Sequence, residues 1–234
     1  NSGHASFPTE GTAMGKMARF VERVDGNRLP VRITPSAERM IDSVAEELPA
    51  DRAEQFRGLL DPDRTDEILD EMGPEGRMFD AIVHNTANVT QVHGGDKENV
   101  VPEAVTVFLD CRLVPGQEPD DVIAELTELT GLEPDYEIVR FDSGPPEAEM
   151  GFFDELAGIL EAETDGVAIP LLMAGATDGR HLAAVDVQSY GFTPMQLDDL
   201  PFLDLVHSGD ERIPTETVAW GTDRVYEAVL SYDG

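Results

Sequence analysis

The sequence predicts an α/β protein in two unlike parts. Apolar residues recur about every 3.6 residues up to Asn85 and about every 2 residues from there to Leu113, which indicates helices followed by strands. From residue 152 onward, helix-like and strand-like segments alternate, which is typical of a mainly parallel sheet. Residues 142–150, rich in Pro, Gly and acidic residues, are predicted to link the two parts.

Helices dominate the first 83 residues. The first is predicted from apolar residues at i, i+3, i+4 and i+7 spacing, and Gly26 can end it. These apolar residues are Met14, Met17, Ala18, Val21 and Val24. After an extended stretch, Thr34 caps a second helix that begins at Pro35 and runs to Leu48. Residues 50–83 are acidic with further helical pieces, so residues from about 35 to 83 are predicted to be a helical insertion.

Two strands, a helix and a third strand follow the insertion. Residues 85–95 and Ala104–Leu113 alternate apolar and polar side chains and are predicted as the two strands. A helix then ends at Gly131, and Tyr136–Phe141 is the third strand. This order matches a ferredoxin-like α+β layout without its first strand, which would lie at or before Gly3.

The second part is predicted as three helices and two strands. The helices are residues 152–163, a segment from about residue 177, and residues 215–231, and the strands are residues 167–173 and 187–192. Two strands are too few for a free-standing sheet that is covered on both faces. We therefore expect this part to be half of a domain, with apolar surface exposed on residues 167–173.

Acidic residues outnumber basic ones by 48 to 16, which gives a formal net charge of -32. The acids are spread through amphipathic segments, so the chain is not predicted to be disordered. No basic stripe is present to neutralise phosphates, which argues against nucleic-acid binding. Such a surface repels itself at low salt and is tolerated where the Debye length is about 3 Å, at 1 M salt. We expect a halophilic source.

The sequence offers no sign of a membrane or an oxidising compartment. It has no run of about eighteen apolar residues and no basic-then-apolar leader at its start. Its single cysteine, Cys111, excludes an internal disulfide. A cytoplasmic location is therefore expected.

Four motifs, in this order, carry a resemblance to a known family. They are GHASFP (residues 3–8), GGDKENVVPEAVTVFLDCRLVPGQ (residues 94–117), GATDGRHL (residues 175–182) and HSGDERIP (residues 207–214). The chain resembles the co-catalytic zinc amidohydrolases and peptidases that include aminoacylase, acetylornithine deacetylase, succinyl-diaminopimelate desuccinylase and glutamate carboxypeptidase. The resemblance covers nearly the whole chain, most loosely over residues 27–83.

The resemblance implies a domain organisation. Residues 1–145 would form the family's lid, or dimerisation, domain, and residues 146–234 the C-terminal half of its α/β catalytic domain. In that family the other half of the catalytic domain carries a His-x-Asp pair, a bridging aspartate and an adjacent Glu-Glu pair. None of these is recognisable here, so we expect a C-terminal portion that is inactive alone.

The resemblance also implies a reaction and its cofactor. The parent enzyme would hydrolyse an amide bond in N-acyl amino acids or small peptides, as a deacylase or a carboxypeptidase or dipeptidase. Two zinc ions, or cobalt or manganese, would activate a water, and His207 would be a ligand of one of them. His4 would reach the partner subunit's site in a homodimer and stabilise the oxyanion.

Four further residues are implied to bind the substrate. Asn99 and Arg112 would contact its carboxylate or amide from the lid, and Gly175 and Arg180 would do so from the Gly-rich turn.

The residues alone leave other interpretations open. A histidine in a polar loop, such as His207, is more often a surface residue, and Thr177 or Asp178 can simply cap a helix. The alternative function is a non-catalytic dimerisation or binding module whose contacts come from the first helix and a nearby strand edge. A phosphate site in AGATDGR is disfavoured, because the glycine spacing fits no P-loop and the net charge opposes anions.

Overall fold

Two small antiparallel sheets and the helices around them make up the computed structural model, which describes residues 3–144, 150–197, 200–201 and 205–232. The strands are β1 (Gly3–His4), β2 (Thr86–His93), β3 (Val100–Val101) and β4 (Thr106–Arg112). The helices are α1 (Ala13–Asp25), α2 (Pro35–Glu46), α3 (Ala50–Gly58), α4 (Thr65–Met72), α5 (Gly76–Val83), α6 (Pro119–Thr130), α7 (Phe153–Glu161), α8 (Gly179–Ala183) and α9 (Thr215–Ser231). A 3₁₀ turn, Gly73–Glu75, joins α4 to α5.

The longer sheet is a hairpin covered on one face by two helices. β2 pairs with β4 from Thr86↔Arg112 to His93↔Thr106, with one irregularity after Val89. Alternate residues of β4 pack against buried side chains of α1 and α6, as the period of two predicts. The second sheet joins β1 to β3 and is only two residues long.

The segment predicted to be a helical insertion, residues 35–83, forms helices α2 to α5 and has a core of its own; we call it the insertion. Thr34 caps α2 by accepting a hydrogen bond from the Ala37 N–H, as expected. Phe56 of α3 and Phe79 of α5 meet edge to face with their ring centroids 5.2 Å apart. The most deeply buried large side chains of this core are Met40, Ile41, Leu59, Leu69 and Ile82.

A buried polar network closes the insertion where the chain enters and leaves it. Arg32 donates from Nε and Nη2 to Oε1 of Glu125, over 3.0 and 2.7 Å, and its backbone N–H donates to the Val83 carbonyl. Asn85 Nδ2 donates to Glu125 Oε2 over 3.0 Å, and its Oδ1 accepts from the Val114 N–H. The Glu125 side chain is only 4% exposed, so its carboxylate depends on these hydrogen bonds in place of water.

A second group of charges lies beside this network. His84 is buried, with Nδ1 2.9 Å from Asp80 Oδ1, and Arg28 Nε donates to Asp80 Oδ2. Burial alone would raise the pKa of Asp80, but hydrogen bonds from His84 and Arg28 outweigh it and lower that pKa. Asp80 therefore stabilises the fold as a carboxylate, and this contribution is lost as pH falls through its lowered pKa.

Three predicted strands are wrong. Residues 136–141, 167–173 and 187–192 are extended or irregular, and none belongs to a ladder among the described residues. Their composition favours strands, but a strand also needs a neighbour at hydrogen-bonding distance. The apolar surface that we expected to be exposed on residues 167–173 is confirmed, since the side chain of Leu171 is 66% exposed. The four-stranded ferredoxin-like sheet is therefore not formed in the described residues.

The C-terminal part is held by helix packing. α7 contacts α9, and α9 has the predicted bounds. α8 is shorter than expected and begins at Gly179. Leu172 packs on the insertion core, and its N–H lies 3.4 Å from Met40 Sδ. Most of the predicted linker, residues 145–149, lies outside the described residues.

Among the helices in the described ranges, none combines the length and apolar character that a membrane crossing requires.

Replacing Asn85 with Ala is expected to destabilise the fold. It leaves the Val114 N–H and one Glu125 oxygen without partners in a buried setting, which costs about 1–3 kcal/mol. The midpoint of urea unfolding at constant salt measures this loss. Asn88→Ala, at an exposed position on β2, is the matched control and should change little. Equal midpoints for the two variants would contradict the role given to Asn85.

Candidate functional site

Three of the predicted substrate residues line one groove. The groove has a volume of about 1760 Å³ and is bordered by β4, residues 132–144 and residues 172–180. Arg112 lies at the end of β4, whereas Gly175 and Arg180 come from the Gly-rich turn and α8. Motifs more than sixty positions apart in the sequence therefore line the same groove, and we call one set of its charged and turn residues the cationic end (Arg112, Arg140, Asp142, Gly175 and Arg180).

The arginines of the cationic end face carboxylates of the chain itself. Arg112 Nε and Nη2 donate to the two oxygens of Asp110, over 2.7 and 3.0 Å, in a bidentate pair. Both side chains are 46% exposed, so the pair contributes little to stability. Asp110 therefore presents both of its carboxylate oxygens to the guanidinium of Arg112.

Arg180 is held less firmly than Arg112. Its Nε forms an ion pair with Asp142 Oδ2 at 3.7 Å, which is beyond hydrogen-bond distance. This buried Nε has no hydrogen-bond partner among the described residues. Asp142 is paired with Arg140 at the same time. Arg140 and Asp142 were not predicted as site residues; their signal was an arginine and an aspartate placed two apart at the end of a strand-like segment.

His4 and Asn99 lie together at the β1–β3 ladder. His4 pairs with Val100, and the Ala5 N–H donates to the Asn99 carbonyl over 2.9 Å. His4 Nδ1 accepts the Ser6 backbone N–H over 3.2 Å and lies 2.8 Å from Ser6 Oγ. An accepting Nδ1 leaves the proton of the neutral ring on Nε2, so this exposed imidazole can donate a hydrogen bond.

His207 stands apart from these residues. It is exposed, its backbone has a left-handed φ of 61°, and it does not line the groove. Its N–H donates to Glu211 Oε2 over 3.3 Å, so that carboxylate holds the loop. No group of three or more His, Cys, Asp or Glu residues able to hold a metal ion exists in the described part of the chain. These residues therefore do not by themselves fit a zinc site, which requires at least three protein ligands.

Cys111 is not a candidate nucleophile. It lies on β4 with its side chain towards the helices, and burial, together with the nearby Asp110 carboxylate, raises the pKa of its thiol to about 11. The thiolate is therefore scarce near neutral pH.

Comparison with known proteins gives one family match and several relatives. The family of the peptidase dimerisation domain matches residues 1–133. The N-fatty-acyl-amino acid synthase/hydrolase of Xenopus tropicalis is 25% identical over 230 residues, which cover 92% of this chain and 43% of the relative. The probable carboxypeptidase S-like 2 of Dictyostelium discoideum is 23% identical over 234 residues, covering 97% and 44%.

A shorter match connects the chain to a deacylase. Aminoacylase-1 of Sus scrofa is 26% identical over 160 residues, or 62% of this chain and 36% of the relative. The chain spans less than half the length of these curated relatives.

Zinc is expected to leave the stability of the 234-residue chain unchanged, because the described residues offer no set of three ligands. Tight binding to the folded state would raise the unfolding midpoint by mass action. Thermal unfolding is measured with zinc, and with magnesium at the same ionic strength as the control for general cation screening. A zinc-specific rise that disappears in His207→Ala would contradict this expectation.

Proposed function

The chain belongs to the M20 family of zinc amidohydrolases and peptidases, and from this premise we propose that it is part of a metal-dependent hydrolase that cleaves amide bonds. Its substrates would be N-acyl amino acids or small peptides. The observation that carries the proposal is that Arg112 and Arg180 line the same groove as the Gly-rich turn. The names of the relatives, which include a hydrolase of N-fatty-acyl amino acids and an aminoacylase, support this substrate class.

The cationic end would bind the substrate's carboxylate. Arginine suits this role because its planar fork matches both oxygens of a carboxylate. Arg112 would exchange Asp110 for the substrate, and Arg180, whose Nε has no hydrogen bond among the described residues, would supply a second donor. Gly175 would allow close approach of the ligand, and Asn99 would contribute an amide from the lid.

His4 would act on the reacting carbonyl. In a homodimer the lid of one protomer would bring its Nε2–H to the partner subunit's site and donate to the developing oxyanion. The hydrogen bonds from Ser6 to Nδ1 favour the tautomer needed for this donation. Removal of such a donor typically costs about 10²–10³ in kcat.

The proposed metal site includes only one residue of this chain. We propose His207 as a single ligand to zinc, with cobalt or manganese as substitutes, because imidazole nitrogen is a common ligand and the relatives are more than twice as long as this chain. The described residues do not complete the site. The 234-residue chain alone would therefore be inactive.

Domain division, habitat and compartment are also proposals. Two separate hydrophobic cores, whose buried residues all lie between Phe20 and Leu126, support residues 1–145 as a lid with a helical insertion. Residues 146–234 would then be part of a catalytic domain. The net charge of -32 supports a halophilic protein. The free thiol of Cys111 fits a reducing compartment such as the cytoplasm.

The alternative is a dimerisation module without chemistry of its own. The family match favours it as strongly as it favours an enzyme, since the matched residues belong to a dimerisation domain. The two proposals differ over the cationic end, which an assembly module would not need.

Hydrolysis of N-acetyl and N-fatty-acyl amino acids tests the enzymatic proposal. The assay compares the 234-residue chain with the product of the complete gene, in molar salt with added zinc. The chain alone is expected to show no turnover, whereas His4→Ala in the complete product should lower kcat by about 10²–10³. Arg77→Ala, an exposed arginine on α5, is the control.

Two outcomes of this assay would overturn the proposal. One is a complete gene product that folds as the wild type but hydrolyses no N-acyl amino acid or peptide. The other is turnover by the 234-residue chain that His207→Ala abolishes, because it would place a working site within these residues.

Dimerisation is expected to depend on salt. Each chain carries a formal charge of -32, so two copies repel at low ionic strength and associate when the repulsion is screened. Light scattering between about 0.05 and 2 M NaCl should show a rising dimer fraction. Urea at matched ionic strengths checks that the monomer stays folded. A folded monomer at all salt concentrations would count against the homodimer.

A further inference from the structure

Three arginines of the described residues line the groove, and they share two aspartates of the chain. Arg112 takes both oxygens of Asp110 in its bidentate pair. Arg140 and Arg180 share one oxygen, Oδ2 of Asp142, which lies 2.5 Å from Arg140 Nη2 and 3.7 Å from Arg180 Nε. Within these ion pairs three positive charges face two negative charges, so one positive charge is left unbalanced beside Asp142.

Arg180 is the arginine that this arrangement leaves with a donor for a ligand. Its side chain is 26% exposed, and its buried Nε has no hydrogen-bond partner among the described residues. Asp142 does not supply one, because its Oδ2 lies close to Arg140 instead. One anionic group of a ligand would therefore give Arg180 the charge-assisted hydrogen bond that the chain does not.

A second anionic group on the same ligand would find no further unbalanced cation. The first group neutralises the surplus charge, and the carboxylate of Asp142, which is 37% exposed, stays within reach of both arginines. Acidic residues also outnumber basic ones along the whole groove, by seven to four. A second negative charge would therefore be repelled in most orientations of the ligand.

The neighbours of the cationic end suit an uncharged body on the ligand. Ile138 stands two residues before Arg140, on the same side of an extended segment, and is 54% exposed. Met173 stands two residues before Gly175 and is 53% exposed. Both side chains line the groove, so apolar groups of a ligand would lose contact with water there.

We propose that Asp142 is a specificity-determining residue that restricts the groove to ligands with a single carboxylate. The substrates would be N-acyl amino acids with uncharged side chains, and N-acyl aspartate and N-acyl glutamate would be disfavoured. Asp142 acts by its charge, since it balances one of the two guanidinium groups beside it. The inference rests on the proposed function for its choice of ligand and narrows the substrate class given there.

A purely structural role for Asp142 is the rival explanation. In that case the carboxylate only holds Arg140 and Arg180 in place, and its loss would weaken the binding of singly and doubly charged ligands alike. The ratio of the two affinities therefore separates the explanations, because a structural role leaves it unchanged.

Binding of N-acetylglutamine and N-acetylglutamate to the 234-residue chain tests the proposal. The two compounds have nearly the same size and differ by one charge. Binding is followed by NMR through the Nε–H signals of the arginine side chains, at one fixed ionic strength. Asp142→Asn removes the charge but keeps the size and an oxygen for Arg140. Asp135→Asn is the matched control, since it removes the same charge from the groove wall and Asp135 pairs with none of the described arginines.

The wild-type chain is expected to bind N-acetylglutamine about tenfold more tightly than N-acetylglutamate. Asp142→Asn should bring the two affinities to within about twofold, and Asp135→Asn should leave their ratio near the wild-type value. Equal affinities in the wild type, an unchanged ratio in Asp142→Asn, or the same change in Asp135→Asn would each overturn the proposal. A chain that binds neither compound overturns it as well.

Hydrolysis of the same two compounds by the complete gene product separates this inference from the proposed function. Selective binding without hydrolysis of either compound would contradict the proposed function and leave the role of Asp142 standing. Hydrolysis of both compounds with equal kcat/KM would support the proposed function and overturn the role of Asp142. Hydrolysis that prefers N-acetylglutamine, with the preference lost in Asp142→Asn, is the expected result.

Discussion

A single buried carboxylate, that of Glu125, joins the parts of this structure. One of its oxygens accepts two hydrogen bonds from Arg32 and the other accepts one from Asn85. These partners come from the segment before the helical insertion and the residue after it, and Asn85 also binds the backbone that follows β4. Because a buried charge without partners costs several kcal/mol, α6, the insertion and the hairpin must keep this one arrangement.

This junction explains how the helical residues 35–83 fit inside the α+β unit that surrounds them in the sequence. The Val31↔His84 bridge brings the two ends of the insertion together. The chain therefore enters and leaves the insertion at nearly the same place, as it would enter and leave a short loop. The insertion buries its own apolar side chains, and the core between the hairpin and helices α1 and α6 is separate. Each core can therefore form from its own periodic pattern, and the polar junction fixes how they meet.

The sequence predicted correctly the helix ends, which depend on interactions between residues close together in the chain. Thr34 begins α2 and Gly131 ends α6 as expected, since capping involves neighbours within a few residues. The prediction of a strand at residues 136–141 was wrong because strand pairing depends on a partner far along the chain, which the local sequence does not reveal. Arg112 and Arg180 were singled out because their motifs resemble those of a known family, and both line the groove. Asp142 was missed because an aspartate two residues after an arginine is a weak signal in so acidic a sequence. Nor could the sequence show that His207 belongs to no group of three or more potential metal-binding side chains among the described residues.

Burial of the carboxylate distinguishes the Arg32–Glu125 pair of the junction from the Arg112–Asp110 pair at the groove. With three acids for each cation, nearly any arginine finds a carboxylate, so pairing alone identifies nothing. In the Arg32–Glu125 pair the arginine is 44% exposed but the carboxylate is only 4% exposed, so salt screens this pair less than one in which both groups face water. The Arg112–Asp110 pair is nearly half exposed on both sides, so molar salt weakens it first. Molar salt therefore weakens the Arg112–Asp110 pair before it weakens the junction at Glu125, and the carboxylate-binding role proposed for Arg112 would require an arginine whose own partner can be displaced.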